Sequence, residues 1–444
     1  MSKIVILGGG ESGVGSAILA LKKGNEVFLS DFGSIKPKYK EQLNTYKIEF
    51  EENQHTTSKI LDAVEVIKSP GIPETAPIIK AIREKGIPII SEIEYAGRYD
   101  KAKKICISGS NGKTTTTSLI YYLLKNAGIN VGLGGNIGDS YAYQVATENR
   151  DVYVLELSSF QLDGMYDFKA DIAILLNITP DHLDRYDYKM ENYAKAKFRI
   201  IQNMTSDDYF IFCQDDQVTM EHIDNIVSKV KRLPITQKEK VNQGAFTDKG
   251  NLIVNYNQDS YTMFIKELSL SGKHNLYNSM AAAIAAKIMN IKNKDIRESL
   301  MSFEGIEHRL EKVLSINNIL FINDSKATNV NSTWYALESM QNPVIWIAGG
   351  KDKGNDYSEI YDLVKSKVKG LVCMGVDNKK LHECFEDKVE KIEDALSAEE
   401  AVQKAYKMAK PGDVVLLSPC CASFDLFNSY EHRGELFKEA VRNI

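Results

Sequence analysis

At 444 residues the chain exceeds one ordinary hydrophobic core, and its length alone suggests about three domains. A hydrophobic share of 43% and a charged share of 26% are those of a globular protein, and a net charge of −5 gives no general attraction to nucleic acid or anionic lipid. No run approaches the roughly 20 apolar residues that span a bilayer, the opening apolar run is too short for a signal peptide, and the six cysteines form no Cys-x-x-Cys pair, so a cytoplasmic enzyme is expected.

Lys3–Leu7 reads as a strand leading into Gly8-Gly9-Gly10 and the helical pattern of residues 14–23. The next strand, Glu26–Ser30, ends at Asp31. Gly8-x-Gly10-x-x-Gly13 in this setting has three readings: an NAD site, a site for another diphosphate-bearing nucleotide such as a nucleotide-sugar, or a turn that lets a helix pack closely on a sheet. Ser69-Pro70-Gly71-Ile72-Pro73 reads as a rigid turn at a strand's carboxyl end, where it would also suit a ligand contact.

Residues 104–108 form a second apolar strand, followed by Gly109-Ser110-Asn111-Gly112-Lys113-Thr114-Thr115 and a helical pattern to residue 127. Glycines let the backbone approach phosphate oxygens, Lys113 neutralises charge and the Thr114 hydroxyl can reach a magnesium ion. Ile107 stands where the first glycine of the usual G-x-x-x-x-G-K-[ST] loop would be, so this is a compressed form of it. ATP use is expected.

Residues 152–155 and 171–176 read as strands ending in Glu156-Leu-Ser-Ser159 and Asn177-Ile-Thr-Pro-Asp-His182-Leu-Asp-Arg185. As parallel neighbours they would bring Glu156 and His182 to the sheet edge that carries Thr114. An acid beside phosphates is an expected Mg²⁺ ligand, and a helix cap at Glu156 or a local hydrogen bond at His182 is the plainer alternative. Residues 235–265 read as a small antiparallel excursion, residues 278–289 as a helix, residues 344–348 as a third strand before Gly349-Gly350, and residues 395–409 as a helix. The alternation predicts an α/β protein with parallel sheets covered by helices on both faces. Its predicted domains are a Rossmann-like one over 1–97, a central P-loop ATPase-like one over 98–303 and a Rossmann-like C-terminal one over 304–444.

The phosphate loop, the Gly135-Asn136-Ile137-Gly138 turn, Glu156-Leu-Ser-Ser-Phe-Gln-Leu162 and Asn177-x-Thr-x-Asp-His-Leu-Asp-Arg185 together resemble the Mur ligases. So do His308-Arg309, Asn323-Asp-Ser-Lys-Ala-Thr-Asn329 and Leu417-Ser-Pro-x-Cys-Ala-Ser-x-Asp425 with Arg433-Gly434, and the resemblance covers essentially the whole chain. Within the family, the run 323–329 is most similar to members that add D-glutamate. The resemblance implies an enzyme that joins an acid to an amine with ATP, through an acyl phosphate, on the substrates UDP-N-acetylmuramoyl-L-alanine and D-glutamate, as part of peptidoglycan precursor synthesis. It implies no nucleic-acid partner, no membrane insertion and a monomer.

By motif match, the resemblance implies that residues 109–115 hold the triphosphate, with Thr114 and Glu156 on a first Mg²⁺ and His182 on a second. Lys197, in Tyr193-Ala-Lys-Ala-Lys-Phe-Arg199, matches a lysine carbamylated by CO₂, whose oxygens ligate metal; taken bare it would be a solvated lysine on an amphipathic helix. Glu11, Ser12, Asp31, Phe32, Ser69, Gly71, Asn136, Ser159 and His182 match the UDP-substrate site, which shifts the first domain's reading from NAD to UDP. Asn275 matches an adenine contact, Arg309 and Lys326 cations near the triphosphate, and Asp324 a ribose or phosphate-region contact. Thr328, Lys353, Ser423, Phe424 and Tyr430 match the D-glutamate site. The third domain is expected to rotate onto the others when ATP binds.

An NAD-dependent oxidoreductase would leave the Lys113 loop unexplained, and a UDP-sugar sensor that hydrolyses ATP as a switch would release phosphate without any amino acid. A sibling ligase using another amino acid is disfavoured by the run 323–329.

Overall fold

The computed structural model describes residues 2–181, 183–223, 229–305 and 307–444. Among them are three sheets. The first holds β1 (Lys3–Leu7), β2 (Glu26–Ser30), β3 (Glu49–Glu51), β4 (Glu65–Lys68) and β5 (Ile89–Ile90), in the order β3-β2-β1-β4-β5. Its pairings are all parallel, and the order is that of a dinucleotide-type fold. Central β1 is apolar on both faces because helices cover both sides of a parallel sheet.

The second sheet comprises β6 (Lys103–Ser108), β7 (Val131–Gly135), β8 (Val152–Glu156), β9 (Ile172–Leu175), β10 (Tyr209–Cys213), β11 (Lys231–Thr236), β12 (Gly244–Asp248), β13 (Asn251–Tyr256) and β14 (Asp259–Phe264). Strands β7 to β12 run parallel with β6 in the order β12-β11-β10-β9-β6-β8-β7. β13 and β14 add the antiparallel excursion, with the alternating burial of a sheet wetted on one face. Because β6 lies between β8 and β9, the carboxyl ends that carry the phosphate loop, Glu156 and Asn177 share one edge.

The third sheet has β15 (Glu311–Ile316), β16 (Ile319–Asn323), β17 (Val344–Gly349), β18 (Val368–Met374), β19 (Lys391–Ala395) and β20 (Val414–Cys420), ordered β15-β16-β20-β17-β18-β19. Only the β15–β16 pairing is antiparallel. The C-terminal helical pattern begins later than expected: Ala395 ends β19, and the helix runs Ala398–Met408 under a Ser397 cap.

Two compact units emerge, 1–268 with 277–303 and 269–276 with 304–444, so the first two sheets belong to one body. Helices Glu11–Lys22 and Tyr141–Thr147 meet across it, and Gly15 permits the approach: a Cβ there would lie 2.0 Å from Ser140 Oγ. Two acids fasten the same junction. Glu94 Oε2 accepts the amides of Tyr166, Asp167 and Phe168 at 2.9, 3.1 and 2.9 Å. Glu92 Oε1 accepts from Ser140 Oγ at 2.5 Å and Ala142 N at 3.0 Å, while Oε2 is buried without a partner among the described residues.

Burial raises the Glu92 carboxyl from 4.5 to about 7. A carboxyl whose folded pKa lies above its unfolded value binds its proton more tightly when folded, so stability falls as pH rises from about 4.5 through about 7. Glu92→Gln, which keeps an acceptor for Ser140 and Ala142, is therefore expected to raise stability by about 3 kcal/mol at pH 8 and to change it little at pH 4. Thermal melts of both proteins at the two pH values check this.

Candidate active site

The phosphate loop turns sharply after β6 because two glycines take conformations that side chains avoid. Gly109 has φ +151° and Gly112, capping helix Lys113–Asn126, has φ +82°. A Cβ on Gly112 would sit 2.6 Å from Asn278 Oδ1, the oxygen that accepts from Thr116 Oγ1 at 3.1 Å. The loop is laced to the chain after β9. Asn111 N donates to Asn177 Oδ1 at 2.8 Å, Ser110 Oγ donates to Thr179 O at 2.8 Å, and Ser110 Oγ lies 3.2 Å from Tyr193 OH. Lys113 Nζ donates to the carbonyls of Gly109 and Ser110, both at 2.7 Å.

At the end of β8, Glu156 is 1% exposed. Its Oε1 accepts from Asn136 Nδ2 at 2.8 Å, and Oε2 is buried with no partner among the described residues. Gly135 (φ +96°) makes this possible, since a Cβ there would strike Glu156 O at 2.2 Å. The helix Ser159–Asp163 is capped by Ser158 and Gln161 reciprocally, so Glu156 is not its cap.

Lys197 belongs to helix Met190–Phe198 and is 1% exposed. Its Nζ donates to Gly109 O at 2.8 Å and stands over the Tyr193 ring at 4.6 Å. Burial, and then the nearby Lys113 charge, hold this amine well below the usual lysine range. A solvated lysine is excluded.

A cleft of about 290 Å³ joins these groups: Lys113, Asn136, Ser158, Ser159, Phe160, Asp181, Tyr193 and Lys197 line it together with Pro70 and Gly71 of the first sheet's turn. Sequence reasoning gave no role to Asp181, Phe160, Tyr193 or Arg185. Arg185 donates to Pro70 O and Gly71 O, each at 3.0 Å, and lies over the Phe160 ring at 4.4 Å. His182 lies outside the described residues.

A larger cleft of about 980 Å³ runs along the carboxyl edge of the first sheet past Ser12, Asp31, Phe32, Ser69 and Gly71. Gly13 packs so tightly that a Cβ would lie 1.9 Å from Gly8 O. Asp31 accepts the amides of Gly9 at 2.5 Å and Gly33 at 2.7 Å, so its carboxylate shapes the glycine turn itself. Phe32 is 75% exposed at the cleft. Glu11, expected at the UDP site, is not among the lining residues; its Oε2 accepts from Tyr39 OH at 3.5 Å instead.

In the second unit, Asp324 follows β16 and is 1% exposed, accepting from Leu310 N at 3.2 Å and Ser418 Oγ at 2.9 Å. Burial raises its carboxyl to about 6 against the pull of Arg309. Arg309 Nε is buried and meets no acceptor among the described residues. Asn275 Nδ2 donates to Ser271 O at 2.8 Å. Lys326 Nζ lies over the Tyr430 ring at 5.4 Å. Loop 349–354, carrying exposed Lys353, is bound to the chain that leads to Ser423 and Phe424, with Lys351 N donating to Ala422 O at 2.8 Å. Thr328 is half-buried, Ser423 buried and Phe424 68% exposed. Arg433, left without a role by the sequence, is fully buried and joins three segments, donating to Ser325 O at 2.9 Å, Cys421 O at 3.2 Å and Gly349 O at 3.5 Å.

Residues 3–77 match the MurD N-terminal domain, residues 107–286 the Mur ligase middle domain and residues 308–421 the Mur ligase glutamate ligase domain. A protein of Christiangramia forsetii named UDP-N-acetylmuramoylalanine--D-glutamate ligase is 56% identical over 442 residues, covering 100% of this chain and 99% of that one. A protein of Bacteroides fragilis with the same name is 55% identical over 447 residues, with 100% of both covered. The structure of a Thermotoga maritima UDP-N-acetylmuramate-alanine ligase shares the fold, with a TM-score of 0.63 at 18% identity over 100% of both chains. With the phosphate-loop Lys113 and the buried Lys197 meeting at one cleft, and full-length relatives at this identity, the chain belongs to the Mur ligase family.

Proposed function

We propose that this chain is an ATP-dependent ligase that adds D-glutamate to UDP-N-acetylmuramoyl-L-alanine in peptidoglycan precursor synthesis. The observation that carries the reading is the single cleft in which Lys113 of the phosphate loop, Asn136, Ser159 and Lys197 meet Pro70 and Gly71 of the first sheet. A carboxylate delivered past Gly71 would arrive beside the triphosphate cradle. Its oxygen attacks the γ-phosphorus, ADP leaves, and an acyl phosphate results. The amino group of D-glutamate then attacks the acyl carbon, phosphate departs and the amine sheds its proton.

The chain's part is positioning and charge. Lys113 faces the phosphates, and Asn136, held by Glu156, orients the acceptor's carboxyl end. The unpartnered Glu156 Oε2 suits a divalent ion, so Mg²⁺ would be held by Glu156 and Thr114, with His182 and the Lys197 carbamate as the remaining candidates. Bound there, it would neutralise charge on the phosphoryl group in transfer. In the second unit, Arg309 and Lys326 serve the nucleotide with Asp324 and Asn275, while Thr328, Lys353, Ser423, Phe424 and Tyr430 serve D-glutamate. The exposed Phe32 and the backbone around Gly8–Gly13 serve the UDP group. ATP and UDP-linked precursors are cytoplasmic compounds, and a cytoplasmic monomer is part of this reading.

Phosphate release with Mg²⁺-ATP tests it. Release is expected only when UDP-N-acetylmuramoyl-L-alanine and D-glutamate are both present, and L-glutamate or L-alanine should support less than about a hundredth of that rate. Release independent of the amino acid, or faster with L-alanine, would overturn it.

A further inference from the structure

Three donors of different chemistry converge in the second unit, apart from the residues assigned to the ligase. Cys373 Sγ, a ring nitrogen of His382 and a carboxylate oxygen of Asp394 all lie within 4.8 Å of one another. We propose that Cys373, His382 and Asp394 form a binding site for Zn²⁺.

The site is a product of the fold. Cys373 on β18 and Asp394 on β19 are register partners in a parallel pair, so their side chains leave the same face of the sheet. Helix Lys379–Phe385 covers that face: its Leu381 and Phe385 pack in the same apolar cluster as Cys373, and His382 lies between them in sequence. Three separate elements thus deliver one sulfur, one nitrogen and one oxygen.

The carboxylate is also oriented. His382 Nε2 stands 3.0 Å from Asp394 Oδ1. Asn378 Nδ2 donates to that same oxygen at 2.9 Å and to the carbonyls of Cys373 and Gly375, both at 3.1 Å. Such an outer partner fixes the direction of a ligating carboxylate. Asn378 Oδ1 is itself buried with no partner among the described residues. A thiol, an imidazole and one carboxylate suit Zn²⁺, whereas Mg²⁺ and Ca²⁺ take oxygen donors. The side chains of His382 and Asp394 are 31% and 57% exposed, which leaves a way in from solvent, the source of a fourth ligand. On binding, the sulfur–zinc bond forms and the thiol proton passes to solvent.

A second group, Glu307, His308 and Glu435, has similar spacing and is not a comparable site. There the Lys438 ammonium already lies among the carboxylates, 2.9 Å from Glu435 and paired with Glu307. Around Asp394, Lys404 Nζ donates to the backbone carbonyl at 2.5 Å, and among the described residues no lysine or arginine forms an ion pair with the carboxylate.

Co²⁺ added to the metal-stripped full-length chain is the probe. Expected is one equivalent bound with a thiolate-to-cobalt absorption band, displaced by Zn²⁺. The band should vanish in Cys373→Ser, persist in Cys384→Ser, and need about 10- to 100-fold more Co²⁺ in His382→Ala. Zn²⁺ should raise the Tm of the wild type and leave that of His382→Ala unmoved. The absence of a thiolate band in the wild type, its survival in Cys373→Ser, its loss in Cys384→Ser, or an unchanged Co²⁺ requirement in the surface variant His382→Ala would each overturn the proposal.

Discussion

Lys197→Ala is expected to lower kcat by about 10²–10³-fold while the protein stays folded. The amine is buried, donates to Gly109 O at 2.8 Å, and shares its surroundings with Lys113. Burial opposes the charge on Lys197, and the neighbouring Lys113 ammonium repels it further. A neutral amine is a nucleophile towards CO₂: the N–C bond forms, a proton is lost, and a carbamate anion replaces a cation. That inversion would turn repulsion between Lys197 and Lys113 into attraction and provide two oxygens for metal at the cleft. The wild type is therefore expected to lose activity in CO₂-depleted buffer and to regain it with bicarbonate. Labelled bicarbonate should give a carbamate carbon resonance that Lys197→Ala lacks. Phosphate release by Lys197→Ala within about threefold of the wild type would contradict the assignment, as would a wild type indifferent to CO₂.

The strand–glycine units were legible because their signals are local: an apolar run, glycines at fixed offsets and a helical period lie within about twenty residues of one another. The phosphate loop, the Gly135 turn and Glu156 are of this kind, and the geometry at Gly109, Gly112 and Gly135 is what such patterns require. Sheet order was legible only in part. β20 lies between β16 and β17, although it follows β17 by more than sixty residues in sequence, and no local pattern announces such a pairing. Glu92 and Glu94 were missed for a related reason. Acids in the first turn of a helix normally face water, and here the partners that bury them come from residues 140–142 and 166–168. Arg433 was legible only as part of a motif, and its role shows once Ser325, Gly349 and Cys421 close around it. Glu11 shows the converse: a motif position fixes a backbone, and the side chain is free to turn towards Tyr39.

Glu156→Gln should retain the fold, because the amide keeps an oxygen for Asn136 Nδ2, which now bonds Oε1 at 2.8 Å. What changes is the other oxygen, buried and unpartnered among the described residues, which becomes an NH₂ group. Either atom is left without a partner in the same dry place, so thermal stability should stay near that of the wild type. Catalysis should respond far more. The half-saturating Mg²⁺ concentration is expected to climb about 10- to 100-fold, and kcat at saturating Mg²⁺ to fall about 10²-fold. The two readouts separate the possible roles. If Glu156 acted only by holding Asn136, glutamine would do the same work and both kinetic constants would stay near wild type. If it held the helix Ser159–Asp163, the Tm would drop, yet Ser158 and Gln161 already cap that helix. A stable variant with a raised Mg²⁺ requirement is the outcome that a metal-binding carboxylate alone predicts.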